Sequence, residues 1–576
     1  MYRKYWPILR KYKLSLLVSP LLVLITVLCE TVQPYLMSEI IDRGVMEGDI
    51  ALISRIGTWM VVIALAGLAI SIVNVWVSSR ASIGFGTDLR SGLFQQIQRF
   101  AFPEIDRFSP SSLITRLTND ITKIQQVILM SMRVMLRAPL MFIVAVFFVI
   151  RINSQLALIL TAAIPVLAVA IYVVLKKGFP YFLKVQQRID ALNAVVRENL
   201  INIRVVKSFV REDFEKKKFA ARSEDLRDIV IRASNIIVTL FPIMQLVLNV
   251  SVLAILWFGG RRVITGSLQV GELISFVNYM MQVLMSLMML SMVIMTFARA
   301  SASSERILEV LDTEPSLADT PEGLSDENHI RKGEIEFRNV SFRYGDGDSD
   351  ALSDITFKTM PGETLAVVGA TGSAKSTLVQ LIPRLYDVTG GQLLIDGKDV
   401  RDYSLDELHC KVGMVLQKNV LFSGTIIENL RWGDPDASFE EVVEAAKAAE
   451  AHEFICSFPD GYDTVLGRGG VNVSGGQKQR ICIARALLRK PKILILDDST
   501  SAVDSETELN IRANLARLLQ DTTVLIITQR INTMQSADRV LILDDGRIEA
   551  LGTPQELMET SPMYQEIYRS QQLNKA

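Results

Sequence analysis

Six long apolar stretches occupy the first half of the chain, at about 14–37, 56–78, 132–150, 155–175, 235–258 and 271–297. Each approaches the roughly 20 residues of helix that cross a bilayer, so the pattern predicts six membrane spans. Only RINSQ separates the third from the fourth, which predicts a tight hairpin at one membrane face. Two other connections, about 79–131 and 176–234, are far longer and rich in Lys and Arg, as in KKGFPYFLKVQQR and FVREDFEKKKF. The links on the opposite side are short and carry fewer positive charges. By the positive-inside rule, the N-terminus and both long connections face the cytoplasm. QRIDALNAVVRENLINIRVVKSFV keeps apolar residues at helical spacing and contains no Gly or Pro. The membrane helices are therefore expected to continue into the cytoplasm, because structureless loops of that length are uncommon. An inserted soluble helical domain is the alternative.

The pattern changes near Asp312. DTEPSLADTPEGLSDENHIRKG is polar, acidic and rich in Pro and Gly, as a linker would be. Beyond it, short β-branched runs (GEIEFRNVSF, ETLAVVGA, KILILDD, TTVLIIT, RVLILDDG) alternate with helical patterns, which predicts an α/β domain with a mainly parallel sheet. The expected division is a helical membrane domain over 1–311, a linker over 312–332 and an α/β domain over 333–576.

Composition narrows the classes. A chain of 576 residues is too long for one core, and a mean hydropathy of +0.30 is high for a soluble protein. A net charge of −1 gives no case for a nucleic-acid partner. Cys29, Cys410, Cys456 and Cys482 lack metal or disulfide spacing, which suits a reducing interior. The basic start MYRKYWPILRKYK is followed by an apolar run without a small-residue cleavage site, so that run is expected to be retained.

ETLAVVGATGSAKSTLVQLI reads as strand, glycine-containing loop and helix. Backbone N–H groups of such a loop (Gly369, Ala370, Thr371, Gly372, Ser373, Ala374) and of the helix start would wrap a phosphate chain. Lys375 would reach the terminal phosphates and the Ser376 hydroxyl would ligate Mg²⁺, with Thr377 next in line. Gly369 fits the Gly-x-x-x-x-Gly-Lys-Ser/Thr pattern, but Ala374 replaces its second glycine. A methyl group there strains the turn if φ is positive, so altered nucleotide binding is expected. The apolar strand ending in Asp497 supplies a second metal-side group. Between the two motifs lies VNVSGGQKQRICIARAL, and SGGQ followed by QR and a helix is more specific than either flank.

With these motifs the chain resembles the ATP-binding cassette (ABC) transporters, in the exporter form that fuses six membrane helices to one nucleotide-binding domain. The resemblance covers essentially the whole chain. It implies that Tyr344, in FRYGDG, stacks on adenine and that Gln417, in MVLQKNVLF, touches Mg²⁺. Ser474, Gly475, Gly476 and Gln477 would bind ATP held by the opposite subunit, and Asp504, in SAVD, would sit at the subunit seam. RFSPSSLITRLTND and ENLINIRVVKSF resemble the segments that carry coupling helices. Two such halves would dimerise around two ATP molecules.

Three departures fall on one site. The family usually has Glu after the metal aspartate, as the base that polarises water; here Asp498 is one methylene shorter. A misplacement of ~1 Å is worth on the order of 10²-fold in rate. The family places His at the end of the next strand, but Gln529 stands there and cannot become cationic. Ala374 is the third. GRGG (Gly467 to Gly470) also replaces the family's Gly-Glu-Arg-Gly before the signature. SGGQ is intact, so this chain is expected to lend its signature to a competent partner, a second half-transporter, while its own site hydrolyses slowly.

In the membrane half, Met281, Met285, Met288 and Met292 crowd the last span with other methionines. Flexible thioethers suit a surface that repacks around apolar ligands, although ordinary helix packing reads the same way. Glu30 is an ionisable group within the first span, hence a pathway candidate, with a water-facing position near the outer leaflet as the alternative. The resemblance implies an inner-membrane exporter of small hydrophobic or amphipathic compounds in a lipid bilayer. A lipid flippase and an ATP-gated channel or regulatory subunit share the architecture.

Overall fold

A computed structural model describes residues 2–317, 329–345, 347, 349–499 and 502–573. Most of the expected linker (318–328) and the side chains of Met288 and Met292 lie outside the described residues. Contacts divide the chain into two units: Met1–Ile97 with Ser111–Thr313, and Gln98–Pro110 with Glu314–Ala576. A short segment from the membrane half thus belongs to the second unit.

Among the described residues of the first unit, six helical segments are long and apolar enough to cross a membrane: Lys4–Val45, Ile50–Gln98, Pro110–Ile152, Ala157–Gly178, Glu212–Ile264 and Val270–Leu287. The helix Ile50–Gln98 runs 49 residues without a break, about 74 Å at 1.5 Å per residue. That is more than twice the ~30 Å hydrocarbon core. Ala157–Ile201 is similar at 45 residues. The long connections are therefore helical extensions and not an inserted domain. A turn at Asn202 starts the short helix Ile203–Ser208, and the chain returns along Glu212–Val238. The first turn of that returning helix carries Glu212, Asp213 and Glu215, which suits its positive dipole end.

Polar contacts fix the bundle at both ends. Asp120, fully buried, accepts from Ser303 Oγ (2.9 Å) and Arg306 Nε (2.8 Å), joining the extensions of the third and sixth spans. At the other end, Asp42 accepts the N–H groups of Gly271 (2.6 Å) and Glu272 (3.1 Å), capping the helix Val270–Asp312. A Cβ on Gly271 would lie 2.5 Å from the Ser38 carbonyl oxygen, so only glycine allows this approach. Between them, Tyr279 stacks on Phe148 at 5.2 Å and donates to the Thr31 carbonyl at 2.6 Å.

The second unit is built on a six-stranded sheet in the order Arg547–Gly552, Arg539–Asp544, Thr364–Gly369, Thr523–Ile527, Ile493–Asp497, Val412–Val415. All pairings are parallel except that of the Arg547–Gly552 edge strand. ILILD and TVLII are buried along their whole length, as strands covered on both faces should be. A four-stranded antiparallel sheet of Leu352–Thr359, Ile335–Phe342, Gly390–Ile395 and Lys398–Asp399 packs in the same unit.

The helix Phe102–Phe108 also packs here. Its Glu104 accepts the N–H groups of Ala101 (2.9 Å) and Ser316 (3.2 Å). Phe102 meets the Tyr386 ring edge-on at 5.9 Å, and Tyr386 Oη donates to Asp106 at 2.7 Å. RFSPSSLITRLTND, the segment that resembles a carrier of a coupling helix, begins at Arg107, within the last turn of this helix. Pro103 and Glu104 place the helix start at Phe102, because Pro and Glu suit a first turn.

Candidate functional site

Parallel strands deliver their C-terminal ends together. Ile527 is level with both Asp497 and Val367 in the ladder. The next residues stay in register, with Asp498 N–H donating to Ile527 O (3.1 Å) and Thr528 N–H to Val367 O (3.3 Å). Asp497, Asp498 and Gln529 thus stand beside the loop that follows Gly369. That loop turns into the helix Lys375–Leu381 through Ala374 at φ 65°, ψ 25°. The left-handed conformation expected for the second glycine of the motif is present, and a methyl group sits in it. Asp498 is also left-handed, at φ 48°.

One cleft of about 470 Å³ is lined by Tyr344, Thr371, Gly372, Ala374, Lys375, Ser376, Thr377, Gln417, Asp497, Asp498 and Gln529. Gly369, Ala370 and Ser373 hold Lys375 from behind: its Nζ donates to the two carbonyl oxygens (3.0 and 2.6 Å) and to Ser373 Oγ (3.2 Å). The Tyr344 hydroxyl pairs with Thr377 Oγ1 at 2.9 Å, and its ring meets Phe342 and Tyr386 edge-on. Tyr344 itself remains 42% exposed.

The electrostatics follow from burial. Desolvation pushes the Asp497 carboxyl above its ordinary value, opposed by a hydrogen bond from Ser376 and assisted by the charge of Asp498. Desolvation likewise holds Lys375 below its ordinary value, while Asp497 and Asp498 pull it upward. A bound polyanion and divalent cation relieve both strains together. The Ser376 hydroxyl, the Gln417 amide and the Asp497 carboxylate all line the cleft and offer oxygen donors, the type that suits Mg²⁺. The residues present fit the group.

Other expected site residues lie elsewhere. Ser474 caps the helix Gly475–Leu488: its Oγ accepts from Gln477 N–H (3.3 Å), and Gln477 Oε1 accepts from Ser474 N–H (2.9 Å). A Cβ on Gly476 would lie 2.8 Å from the Ala502 carbonyl oxygen. Asp504 caps the helix Ser505–Leu518 by accepting from Thr507 N–H at 2.9 Å. Gln479 ties these two elements by accepting from Ala502 N–H (3.0 Å). Met281 and Met285 are exposed, one turn apart. Glu30 is bound by Arg137 of the third span at 2.7 Å.

Several residues escaped sequence reasoning. Asp350, Ala351, Asp545 and Gly546 complete the cleft; the DDG turn signal of the last two was legible, its destination was not. Glu508 is buried and accepts from Arg512 (2.6 Å), Arg530 and Thr533 (2.9 Å), which anchors the residue after Gln529. Glu508 is one of two glutamates in SETELNIRANL, and nothing in that pattern signals the contact.

The ABC transporter transmembrane region matches residues 16–287, and the ABC transporter domain matches residues 352–501. The chain belongs to the ABC transporter family. It is 43% identical over 563 residues to the ABC transporter ATP-binding protein YfiB of Bacillus subtilis (strain 168), covering 98% of this chain and 97% of that one. It is 34% identical to the ATP-dependent lipid A-core flippase of Syntrophus aciditrophicus (strain SB), covering 84% of this chain and 80% of that one. A bacterial Atm1-family ABC exporter solved with ATP bound superposes with TM-score 0.81 at 25% identity, over 98% of each chain. The protein is an ABC transporter of exporter type: a multi-pass helical membrane domain fused to an ATP-binding domain.

Proposed function

We propose that this chain is one subunit of a heterodimeric exporter of hydrophobic or amphipathic compounds, and that its own ATP site binds nucleotide but turns it over slowly. The observation that supports this most directly is the pairing of Asp498 and Gln529 at adjacent strand ends in the cleft. Lys375 would neutralise the terminal phosphates, Ser376 and Asp497 would hold Mg²⁺, and Tyr344 would cover the adenine. Mg²⁺ supplies charge neutralisation on the phosphate oxygens. What the chain lacks is the positioning of water: the Asp498 carboxylate is one methylene short, and Gln529 offers an amide without charge. Binding and hydrolysis therefore separate here, since only groups that act in the transition state raise the rate.

Ser474 to Gln477 would serve the ATP of a second half-transporter that carries Glu and His at the two altered positions. Asymmetry of this kind is pointless in a homodimer, where both sites would be slow. The compartment expected is the cytoplasmic membrane, with the nucleotide-binding domain in the cytoplasm. A lipid flippase is an equally supported reading of the transport cycle, given the 34% identical flippase. The test is ATPase activity of the purified chain alone against the chain co-expressed with its genomic neighbour. Weak activity alone and clear activity together are expected; brisk turnover by a verified homodimer would overturn the asymmetric reading.

A further inference from the structure

The nucleotide-binding domain carries two adjoining cavities that the ATP cleft does not use. One, of about 940 Å³, is lined by the helices Phe439–Ala448 and Ser505–Leu518. The other, of about 510 Å³, continues it toward Lys492 and Thr522. Glu444, Ala448, Arg517 and Leu518 line both, so the two form one groove. Its floor is apolar: Ala445, Ala448, Leu487 and Leu488 are buried there. Phe439 and Leu518 also line it, yet they stay 48% and 44% exposed. Exposed apolar groups rimmed by polar ones mark interaction sites.

The charges along this groove are unequal. The larger cavity is lined by four carboxylates, Glu440, Glu444, Glu450 and Glu453, against two cations, Lys447 and Arg517. In the smaller one Glu441, Glu444 and Asp521 are matched by Lys490, Lys492 and Arg517. Lys490 is taken by Glu441 at 2.6 Å. Glu440, Glu444 and Glu453, like Lys447 and Arg517, form no salt bridge among the described residues. Glu440 and Glu444 also stand one turn apart on one helix, where like charges destabilise it. A cation laid between them removes that repulsion. The basic runs of this chain are engaged elsewhere. Tyr5 of the N-terminal run is buried and pairs with Ser304 Oγ at 3.0 Å, and Lys218 of FVREDFEKKKF pairs with Glu198 at 2.8 Å.

We propose that this groove docks a basic amphipathic helix of another protein. Its apolar face lies on the floor between Phe439 and Leu518, with anchors at i, i+3, i+4 and i+7, and its Lys or Arg side chains reach Glu440, Glu444 and Glu453. The helix Phe439–Ala448 has 10 residues, about 15 Å, so an occupant of about three turns spans it. The excess of carboxylates selects a basic helix over an acidic one. The apolar floor selects an amphipathic helix over a merely basic strand. None of this depends on how fast the ATP site turns over or on what the membrane domain carries.

The test is hydrogen exchange on the full-length protein in phosphatidylcholine nanodiscs, with two helical peptides of about four turns as probes. One carries leucine at i, i+3, i+4 spacing and lysine elsewhere; the other has glutamate in place of lysine. The leucine–lysine peptide should slow exchange in 439–453 and 514–518, which its binding to lipid cannot produce. E440Q/E444Q should raise the peptide concentration for half-protection about three- to tenfold, the worth of two rim ion pairs. L518S should raise it about tenfold, for a lost apolar anchor. K447Q should lower it, which a misfolded variant cannot imitate. Equal protection by the glutamate peptide, protection indifferent to these substitutions, or no protection of either segment would overturn the proposal.

Discussion

Replacing Asp498 by Glu restores one methylene at a backbone that cannot easily move. The Asp498 N–H is held by Ile527 O at 3.1 Å, and the strand before it is paired on both sides. The substitution therefore changes reach by about 1.3 Å and little else. Such a displacement of a reacting group is worth on the order of 10²-fold, or about 2.7 kcal/mol of activation free energy. Two effects pull the gain down. Glu tolerates the left-handed φ of 48° less well than Asp, and Gln529 still offers no cation. A rise of about 10- to 100-fold in the slow phase of single-turnover hydrolysis by the complex is expected. Q529H alone should do little, whereas D498E/Q529H should exceed D498E. An unchanged slow phase in D498E, with ATP still bound, would refute the reach argument.

Ala374→Gly removes a Cβ from φ 65°, relieves about 1 kcal/mol of left-handed strain and should tighten ATP binding about fivefold in a nucleotide titration. Unchanged affinity would clear the methyl group of blame. Glu508→Gln should destabilise the nucleotide-binding domain by about 3 kcal/mol in thermal or denaturant unfolding, because it weakens a buried carboxylate's pairing with Arg512 and Arg530. Burial raises the Glu508 carboxyl, but hydrogen bonds from Arg530 and Thr533 outweigh it and hold the group below its ordinary value. Its stabilisation is therefore present above the unfolded carboxylate pKa, about 4.3, and is lost as pH falls through the lower folded value. E508Q should show a shallower acid loss. Tyr386→Phe keeps the ring against Phe102 and deletes the hydroxyl that donates to Asp106. Faster amide exchange in Phe102–Phe108, by a factor of about ten, is expected, and unchanged exchange would deny that bond a role.

Period and length carried most of the architecture. The apolar stretches had no other stable solution than helices across a bilayer, and continuous ILILD and TVLII runs suit only a covered parallel sheet. Motif order brought Lys375, Ser376, Asp497 and Asp498 to one cleft because each motif ends a strand of the same sheet. Illegible were contacts between residues far apart in sequence. Phe102–Phe108 reads as a stray turn of a cytoplasmic extension, yet 280 positions separate Asp106 from its partner Tyr386. Arg137 reads as a flanking charge until Glu30 is placed beside it. Asp504 and Ser474 read as interface groups, while their side chains also cap helices, so their replacement mixes two effects.

The central claim, an ATP site that holds and does not turn over, is tested most directly by which label stays on this chain. The complex is cycled with azido-ATP carrying label in either the α- or the γ-phosphate, then photolysed. Retention of both labels on this chain, with loss of the γ-label from its partner, is the predicted result. Loss of the γ-label from this chain as fast as from the partner, or no labelling of this chain at all, would contradict it.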